Sequence, residues 1–256
     1  MRAILLAAGR GLRLQQSATE RFPKCLLRFD GATLLERHLR LLRAAGVHEI
    51  VLALGFEPER VVAELERLGE AGAVEIVMNP RFDLGSVLTV HETARAMTRG
   101  GDVLLMDADV LYDARIATAL VAGDEVDRLL IDRDFVPGDE PVKVCLRDGR
   151  PVEFRKRVAD GLVYDTVGES VGFFRLREAT AYRFAAIVAG YVATGRADQP
   201  HEEAIRDLLL ADDPRATFDI ADVTGAPWIE IDFPDDIARA TTTVVPRLQP
   251  LASEAT

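Results

Sequence analysis

A loop rich in glycine and in cationic side chains follows the first apolar segment of the chain, residues 2–7. Its chemistry-bearing residues are Gly9, Arg10, Gly11, Arg13 and Lys24. Backbone N–H groups in a glycine-containing turn approach an anion closely, and cations beside the turn neutralise the charge of that anion. In a chain of net charge −11, this local concentration of positive charge predicts a phosphate site. An ordinary tight turn with solvated arginines is the alternative interpretation.

The spacing of this loop argues against two familiar phosphate-binding motifs. Leu14 stands where a dinucleotide fingerprint needs its third small residue, and the second strand-like run ends in Ala53-Leu54-Gly55 instead of an acid that could bind a ribose. The Walker A pattern is absent from the sequence as well. The loop therefore favours a phosphate-binding turn of another kind.

Lysine is rare in this chain, since only three of its 31 basic residues are lysines, namely Lys24, Lys143 and Lys156. A compact ammonium on a flexible stem is not everywhere replaceable by a planar guanidinium. We therefore expect Lys24, which follows Pro23, to bind phosphate at the end of the glycine loop. Lys143 and Lys156 are candidates for binding a second anionic group, with ordinary surface charge as the alternative.

Acidic residues follow two apolar runs in positions that suit a metal ion. Asp109 comes after residues 103–106, and Asp232 comes after residues 228–231. Ligands of open α/β sheets bind at the carboxyl ends of strands, and hard carboxylate oxygens suit Mg2+. We expect Asp109 and Asp232 to hold Mg2+, with capping of a following helix as the alternative for each. Asp107 either adds a third ligand or supports the other two acids.

Hydrophobic periodicity predicts alternating strands and helices in the first half of the chain. The predicted strands are residues 2–7, 49–54, 74–78 and 102–106, and the predicted helices are residues 34–45, 58–68 and 86–97, the last with Ser86 as its N-cap. This alternation is typical of a mostly parallel sheet with helices on both faces.

The second half of the chain has more strands than helices. The predicted strands are residues 126–131, 142–147, 151–158, 168–176 and 228–231, with Asp148-Gly149 as a hairpin turn, and the predicted helices are residues 179–194, residues 202–210 and a segment after Pro234. Neither a linker nor an internal repeat divides the sequence. We expect one α/β domain over residues 1–248 and a flexible tail over residues 249–256.

The composition excludes several classes of protein. With 256 residues, 48% of them hydrophobic and 29% charged, the chain has an ordinary globular composition. Its net charge of −11 disfavours nucleic acid and anionic membranes as partners. Cys25 and Cys145 lie far apart, which fits a reducing compartment, and no apolar run reaches the length of a membrane span. We expect a cytoplasmic protein.

Residues 6–13 (LAAGRGLR) followed by Pro23-Lys24 resemble the signature of the nucleotidyltransferase superfamily, and in particular its phosphocholine and 2-aminoethylphosphonate cytidylyltransferases. The resemblance extends over residues 79–82, 85–86, 103–113, 140–143, 168–170 and 228–232. It implies a Rossmann-like nucleotidyltransferase fold whose central, mostly parallel mixed sheet has helices on both faces. It also implies a nucleotide-binding half (residues 1–125) and a half that carries the acceptor site and the second metal ligand (residues 126–248).

The function implied by this resemblance is a Mg2+-dependent transfer of CMP from CTP to a small phosphate or phosphonate monoester, with release of pyrophosphate. Lys24 and Arg13 would be catalytic, and Asp109 and Asp232 would bind the metal. The implied nucleotide-binding residues are Leu6, Ala7, Ala8, Gly9, Arg10, Gly11, Gly85, Ser86 and Asp107, and the candidate acceptor-binding residues are Lys143, Lys156 and Glu169.

Other functions fit parts of the same pattern. A sugar-1-phosphate nucleotidyltransferase using UTP, dTTP or GTP would share the loop and differ only in its two substrates. A catalytically silent nucleotide-binding subunit would not need Lys24, Asp109 and Asp232 intact. A glycosyltransferase would explain the Asp-x-Asp motif at residues 107–109 but would not need the glycine loop.

The acceptor and the oligomeric state are less constrained by the sequence. Aromatic residues make up only 6% of the chain, which argues against an acceptor with a quaternary ammonium group. Acids such as Glu169, Glu202 or Glu203 would suit a primary amine or a hydroxyl. A homodimer formed through strands of the second half is compatible with the sequence.

Overall fold

The computed structural model describes residues 1–14, 21–123, 126–211 and 218–251. The strands are β1 (Arg2–Ala7), β2 (Arg28–Phe29), β3 (Ala32–Thr33), β4 (Glu49–Leu54), β5 (Val74–Met78), β6 (Val103–Asp107), β7 (Val110–Tyr112), β8 (Asp127–Asp132), β9 (Lys143–Arg147), β10 (Arg150–Arg155), β11 (Thr166–Leu176), β12 (Phe218–Asp222) and β13 (Trp228–Glu230). The helices are α1 (Leu34–Ala44), α2 (Pro58–Arg67), α3 (Ser86–Glu92), α4 (Ala94–Met97), α5 (Ala114–Val121), α6 (Glu178–Ala193), α7 (His201–Leu209) and α8 (Pro234–Arg239).

Four apolar strands of the first half lie parallel to one another in the order β6-β1-β4-β5. β1 and β4 are buried on both faces, which is why their sequences are continuous apolar runs without a polar alternation. In this register Leu6 pairs with Ala53 on one side and with Asp107 on the other. The carboxyl ends of β1 and β6 therefore meet at one edge of the sheet.

β11 joins the second half of the chain to the first. It runs antiparallel to β6 and also pairs with β8 and β9. β9 and β10 form a hairpin through Asp148 and Gly149, whose φ angles of 52° and 73° suit the predicted two-residue turn. β12 lies parallel to β8, so that the described part of the chain forms a single nine-stranded sheet across both halves.

The helices cover both faces of this sheet. Ile4 and Leu5, which are neighbours in β1, point to opposite faces and belong to different hydrophobic cores. The core around Leu5 includes α1 and α5, and the core around Ile4 includes α3, α6 and α7. α1 begins after Thr33, whose side chain accepts a hydrogen bond from Glu36 N–H.

A small antiparallel sheet of β7 and β13 determines where two distant parts of the chain meet. β7 begins directly after the turn that carries Asp109, and β13 ends just before Asp232. Their pairing continues as a hydrogen bond of 3.0 Å from Ile231 N–H to the Asp109 carbonyl. Asp109 and Asp232 are thereby held on neighbouring segments.

The predicted fold class is confirmed, and several details of the prediction were wrong. The helix expected over residues 86–97 ends at Glu92 and resumes at Ala94, and its N-cap is Gly85. The Ser86 hydroxyl is not free for capping, because it accepts a hydrogen bond of 2.8 Å from His201 N–H. The sequence predicted neither the short strands β2, β3, β7 and β12 nor helix α5.

The C-terminal segment is described only up to Leu251, so most of the expected tail lies outside the described residues. Within the described part, Gln249 N–H donates to Asp113 Oδ2 at 2.7 Å, and Leu251 packs against the core. Over the described ranges, no helix combines the length and the apolar character that crossing a membrane requires.

Candidate active site

Three carboxylates converge at the edge where β6 and β13 end. One oxygen from each of Asp109, Glu230 and Asp232 lies within 4.8 Å of the others. Burial, followed by the negative charges of Asp109 and Asp232, raises the pKa of Glu230 well above its ordinary value, although part of this side chain remains exposed. Such a concentration of like charge requires a cation.

Lys24 places a cation between two of these carboxylates. Its Nζ donates to Asp109 Oδ2 at 2.8 Å and to Asp232 Oδ1 at 2.6 Å. Burial works against the charge of Lys24, but the two carboxylates outweigh burial and hold its pKa above the ordinary value. Burial would likewise raise the pKa of Asp232, yet Lys24 and Arg13 hold it below the ordinary value. Lys24 and Asp232 are therefore both ionised at neutral pH.

Arg13 extends this network from the glycine loop towards the second half of the chain. Its guanidinium donates to Asp232 Oδ2 and to Glu140 Oε2, both at 2.8 Å, and lies over the ring of Phe233. Glu140 also accepts a hydrogen bond of 3.2 Å from Lys156. Arg13 and Lys156, which are separated widely in sequence, thus share one carboxylate.

The glycine loop forms the wall of a cleft of about 320 Å³ that also includes Lys24 and Asp232. Gly11 has a φ of 60°, in the left-handed region that glycine tolerates, and Arg10 lies over the ring of Phe82. A smaller cavity beneath it is lined by Leu6, Ala7, Gly9, Gly11, Lys24, Cys25, Ala108 and Asp109. Ala8 is buried, and its carbonyl accepts a hydrogen bond from Phe56 N–H.

A second cavity, of about 360 Å³, opens on the other side of Asp232. Its lining includes Trp228 and Glu169, and every charged residue of the lining except Arg239 is acidic. Trp228 Nε1 donates to Asp132 Oδ2 at 2.8 Å. Burial, followed by the charge of Asp132, raises the pKa of Glu169 to about 7. This cavity shares Asp232 with the glycine-loop cleft, so the two spaces meet at the carboxylate cluster.

The two lysines of the second half differ in what their ammonium groups contact. Lys143 Nζ donates to the carbonyls of Gly138 and Lys156 at 2.6 Å each, and also reaches the carbonyl of Pro141. It thereby ties the loop before β9 to the end of β10. Lys156 Nζ instead projects to Glu140, beside the carboxylate cluster. An acceptor-binding role for either lysine stays a prediction.

Asp107 lies close to the carboxylate cluster but is not a member of it. Its Oδ1 is 3.8 Å from His201 Nε2, and the His201 ring contacts Ser86 Oγ at 3.1 Å. Gly85 adopts an extended conformation against the backbone of Asp198, where a Cβ would come within 2.6 Å of that residue. The N-termini of α3 and α7 are therefore packed tightly together beside Asp107.

The carboxylate cluster suits a hard divalent cation. Asp109, Glu230 and Asp232 offer only oxygen ligands, and Lys24 Nζ already occupies the place of a cation between two of them. Sequence reasoning identified Asp109 and Asp232 but missed Glu230. The sequence feature that could have indicated Glu230 is its spacing from Asp232. The two residues are two positions apart at a strand end and so face the same side.

Comparison with known proteins identifies the family of the chain. The model of the MobA-like NTP transferase domain matches residues 3–151, which is more than half of the chain. The chain belongs to this family. The matched segment contains the glycine loop, Lys24 and Asp109, while Glu230 and Asp232 lie beyond it.

Two curated relatives of this family member are larger proteins. The bifunctional IPC transferase and DIPP synthase of Rubrobacter xylanophilus is 30% identical over 92% of this chain, which covers 50% of that relative. The CMP-5'-(3-aminopropyl)phosphonate synthase of Streptomyces rubellomurinus is 28% identical over 94% of this chain, which covers 38% of that relative. The chain therefore spans half or less of the length of these relatives.

A solved structure of similar size confirms the fold. The inositol-1-phosphate CTP transferase from T. maritima superimposes with a TM-score of 0.75 over 96% of this chain and 93% of that one, at 22% sequence identity. The mixed sheet with helices on both faces is thus the nucleotidyltransferase fold that the sequence predicted.

Proposed function

We propose that this protein is a CTP-dependent cytidylyltransferase, which transfers CMP to a small phosphate or phosphonate monoester and releases pyrophosphate. The observation that carries the proposal is Lys24, held 2.6 and 2.8 Å from two carboxylates at the mouth of a glycine-loop cleft. The named activities of the relatives above, which include a CTP transferase and a CMP-phosphonate synthase, support the same nucleotide and the same type of acceptor.

The reaction joins two anions, so its main requirement is neutralisation and alignment of charge. An acceptor oxygen attacks the α-phosphorus of CTP in line, the bond from that phosphorus to the bridging oxygen breaks, and pyrophosphate leaves. Lys24 contacts the α-phosphate and the attacking oxygen. Arg10, Arg13 and the amides of the glycine loop bind the β- and γ-phosphates. Because the attacking oxygen is already ionised, the mechanism needs no general base.

Mg2+ fits the carboxylates of Asp109, Glu230 and Asp232 in this proposal. The bound ion would supply Lewis-acid stabilisation of charge on the phosphate oxygens. With the aspartates holding the metal, the Lys24 ammonium that now pairs with them would be free to contact the α-phosphate.

The acidic cavity beyond Asp232 would hold the acceptor. Lys156 reaches this cavity through Glu140, a lining residue that also binds Arg13, and would meet the acceptor's phosphate or phosphonate group. Glu169 and its neighbour Asp132 would receive a hydroxyl or a primary amine at the other end of the acceptor. The cavity volume of about 360 Å³ suits a small molecule.

The reducing cytoplasm is the compartment that we propose for this reaction. Cys25 and Cys145 are both free and buried, and neither forms a disulfide. A homodimer remains the expectation from the sequence for its assembly.

The test of this function is Mg2+-dependent release of pyrophosphate, with CTP, UTP, dTTP and GTP each combined with a panel of phosphate and phosphonate monoesters. We expect release with CTP and one acceptor class, and none without Mg2+. The Asp109→Asn variant should be inactive, whereas Glu75→Gln, which removes an exposed partner of Arg99 on β5, should match the wild type. Release only with UTP or dTTP and a sugar phosphate would contradict the cytidylyltransferase assignment.

A further inference from the structure

Asp107 occupies a position that the fold makes room for. It ends β6 beside Leu6, at the edge where the glycine loop begins. Across the sheet, Gly172 of β11 has a φ of 78°, and a Cβ at this position would lie 2.6 Å from Asp107 Oδ2. A side chain on residue 172 would therefore displace the Asp107 carboxylate. The absence of that side chain lets the carboxylate remain at the sheet edge.

His201 faces Asp107 from the first turn of α7. The imidazole is buried, with Nε2 at 3.8 Å from Asp107 Oδ1 and Nδ1 at 3.1 Å from Ser86 Oγ. The distance of 3.8 Å is too long for a hydrogen bond but suits an electrostatic contact. Ser86 in turn accepts a hydrogen bond from the His201 backbone at 2.8 Å. Ser86 therefore fixes the ring, and the ring faces the carboxylate.

The Asp107 carboxylate has capacity left for a ligand. Within residues 1–14, 21–123, 126–211 and 218–251, no group donates a hydrogen bond to it. It stands outside the trio of carboxylates that suits a metal, and it does not line the acceptor cavity. A carboxyl group keeps oxygen atoms that accept hydrogen bonds in either protonation state, so a donor is its complement.

We propose that Asp107 binds a ribose hydroxyl of the nucleotide and that His201 is the positioning residue that orients Asp107 for this contact. The inference rests on the proposed function and deepens it. CTP offers donors only on the cytosine amine and on the ribose. Asp107 lies two residues before Asp109, which faces the α-phosphate site, and the ribose is the group bonded directly to the α-phosphate. The base lies one group farther away.

The first experiment compares CTP with 2'-deoxy-CTP and 3'-deoxy-CTP in the wild type and in Asp107→Ala. A hydroxyl bonded to a carboxylate is worth about tenfold or more in kcat/KM. We expect the kcat/KM of the wild type to be higher for CTP than for one deoxy analogue by about that factor. In Asp107→Ala, the kcat/KM for CTP should fall to the value for that analogue. An unchanged ratio between CTP and both analogues would overturn the assignment. So would a variant whose preference changes among acceptors or between CTP and UTP instead.

The second experiment separates positioning from a structural role of His201. Gln and Asn carry the same amide, but the longer Gln places its nitrogen near the position of Nε2, facing Asp107, whereas Asn places it near Nδ1, facing Ser86. We expect His201→Gln to keep the CTP preference and His201→Asn to lose it. Equal effects of the two variants, or the reverse order, would contradict positioning. His48→Gln, at an exposed histidine, is the matched control and should leave the ratio unchanged.

Binding measurements make this inference separable from the proposed function. The affinities of wild type and Asp107→Ala for CTP and for the deoxy analogues can be measured by calorimetry without any turnover. The same loss of preference in binding would support the ribose contact even where the acceptor panel gave no product. A wild type that binds no nucleotide would contradict the proposed function itself, and the ribose contact with it.

Discussion

Lys24 shows why a lysine stands at one position of an arginine-rich sequence. The ammonium lies between two carboxylate oxygens at 2.6 and 2.8 Å, a geometry that a compact donor with freely directed N–H bonds can satisfy. The planar guanidinium of arginine would have to place two carboxylates in its own plane. This difference explains why a chain that uses arginine almost everywhere has a lysine at this position.

Replacement of Lys24 should separate its charge from its shape. Lys24→Ala is expected to lower kcat at least ~100-fold, the scale of one lost electrostatic contact in a transition state. Lys24→Arg keeps the charge but changes the donor geometry, so we expect it to recover only part of that loss. Steady-state kinetics with saturating CTP and Mg2+ would measure both.

Two outcomes of this experiment would contradict the role of Lys24. One is a Lys24→Ala enzyme that turns over within a few-fold of the wild type. The other is a loss of the same size in Glu75→Gln, whose ion pair with Arg99 lies at an exposed site. Circular dichroism of each variant would show whether the fold is retained.

Prediction from sequence worked at the residue scale where chemistry and position coincided. Asp109 and Asp232 each follow an apolar run, and the structure places both in the cluster. Glu230 was missed because a charged residue within a short strand is equally typical of a solvated face. Glu140 belongs to the resemblance over residues 140–143, but its role could not be predicted, because its partners Arg13 and Lys156 are brought together only by the tertiary fold.

The secondary-structure elements bring these residues together at the ends of strands. The parallel strands were predictable because burial on both faces produces continuous apolar runs, as in β1 and β4. The pairing of β7 with β13 was not predictable, since strands of three residues carry too little periodicity to be recognised. The contact of Ser86 with His201 was not predictable either, because it depends on how α3 packs against α7.

Gly149 in the turn between β9 and β10 and Gly172 within β11 provide a test of element geometry. Gly172 and Gly149 have nearly the same φ, 78° and 73°, but a Cβ at Gly149 meets nothing within 4 Å whereas one at Gly172 meets Asp107. We expect Gly149→Ala to cost about 1–2 kcal/mol of the free energy of unfolding, from backbone strain alone. Gly172→Ala should cost more, because crowding of Asp107 is added to the same strain.

Urea unfolding of both variants measures this difference in the free energy of unfolding. CTP titration shows whether the substitution at Gly172 also affects the nucleotide site. Gly172→Ala should weaken CTP binding, whereas Gly149→Ala should leave it unchanged. Equal losses of stability in the two variants, together with equal CTP affinity, would mean that Gly172 serves only the backbone of β11.

At the scale of the whole molecule, the site concentrates positive charges in a chain whose net charge is negative. The net charge is −11, yet Arg10, Arg13 and Lys24 line one cleft. Long-range repulsion of CTP is screened within about 8 Å at physiological ionic strength, so these local cations govern binding. Lys24 and Arg13 are themselves paired with carboxylates that would hold Mg2+.

This pairing predicts that Mg2+ and CTP stabilise the protein synergistically. Mg2+ alone must displace Lys24 from Asp109 and Asp232, and CTP alone must draw Lys24 and Arg13 away from carboxylates that then repel one another. When both bind, every charge has a partner. A ligand at 100 times its Kd adds about 2.7 kcal/mol to the free energy of unfolding. We therefore expect the rise in Tm with both ligands to exceed the sum of the two separate rises.

The Lys24→Ala variant sharpens this test because it removes the competitor of the metal. Its Tm without ligands should fall, since Asp109, Glu230 and Asp232 lose the cation between them, and Mg2+ alone should raise it by more than it raises the Tm of the wild type. The Glu75→Gln control should respond as the wild type does. Separate rises in wild-type Tm that merely add would contradict competition between Lys24 and the metal. A smaller response to Mg2+ in Lys24→Ala than in the wild type would place the metal away from this cluster.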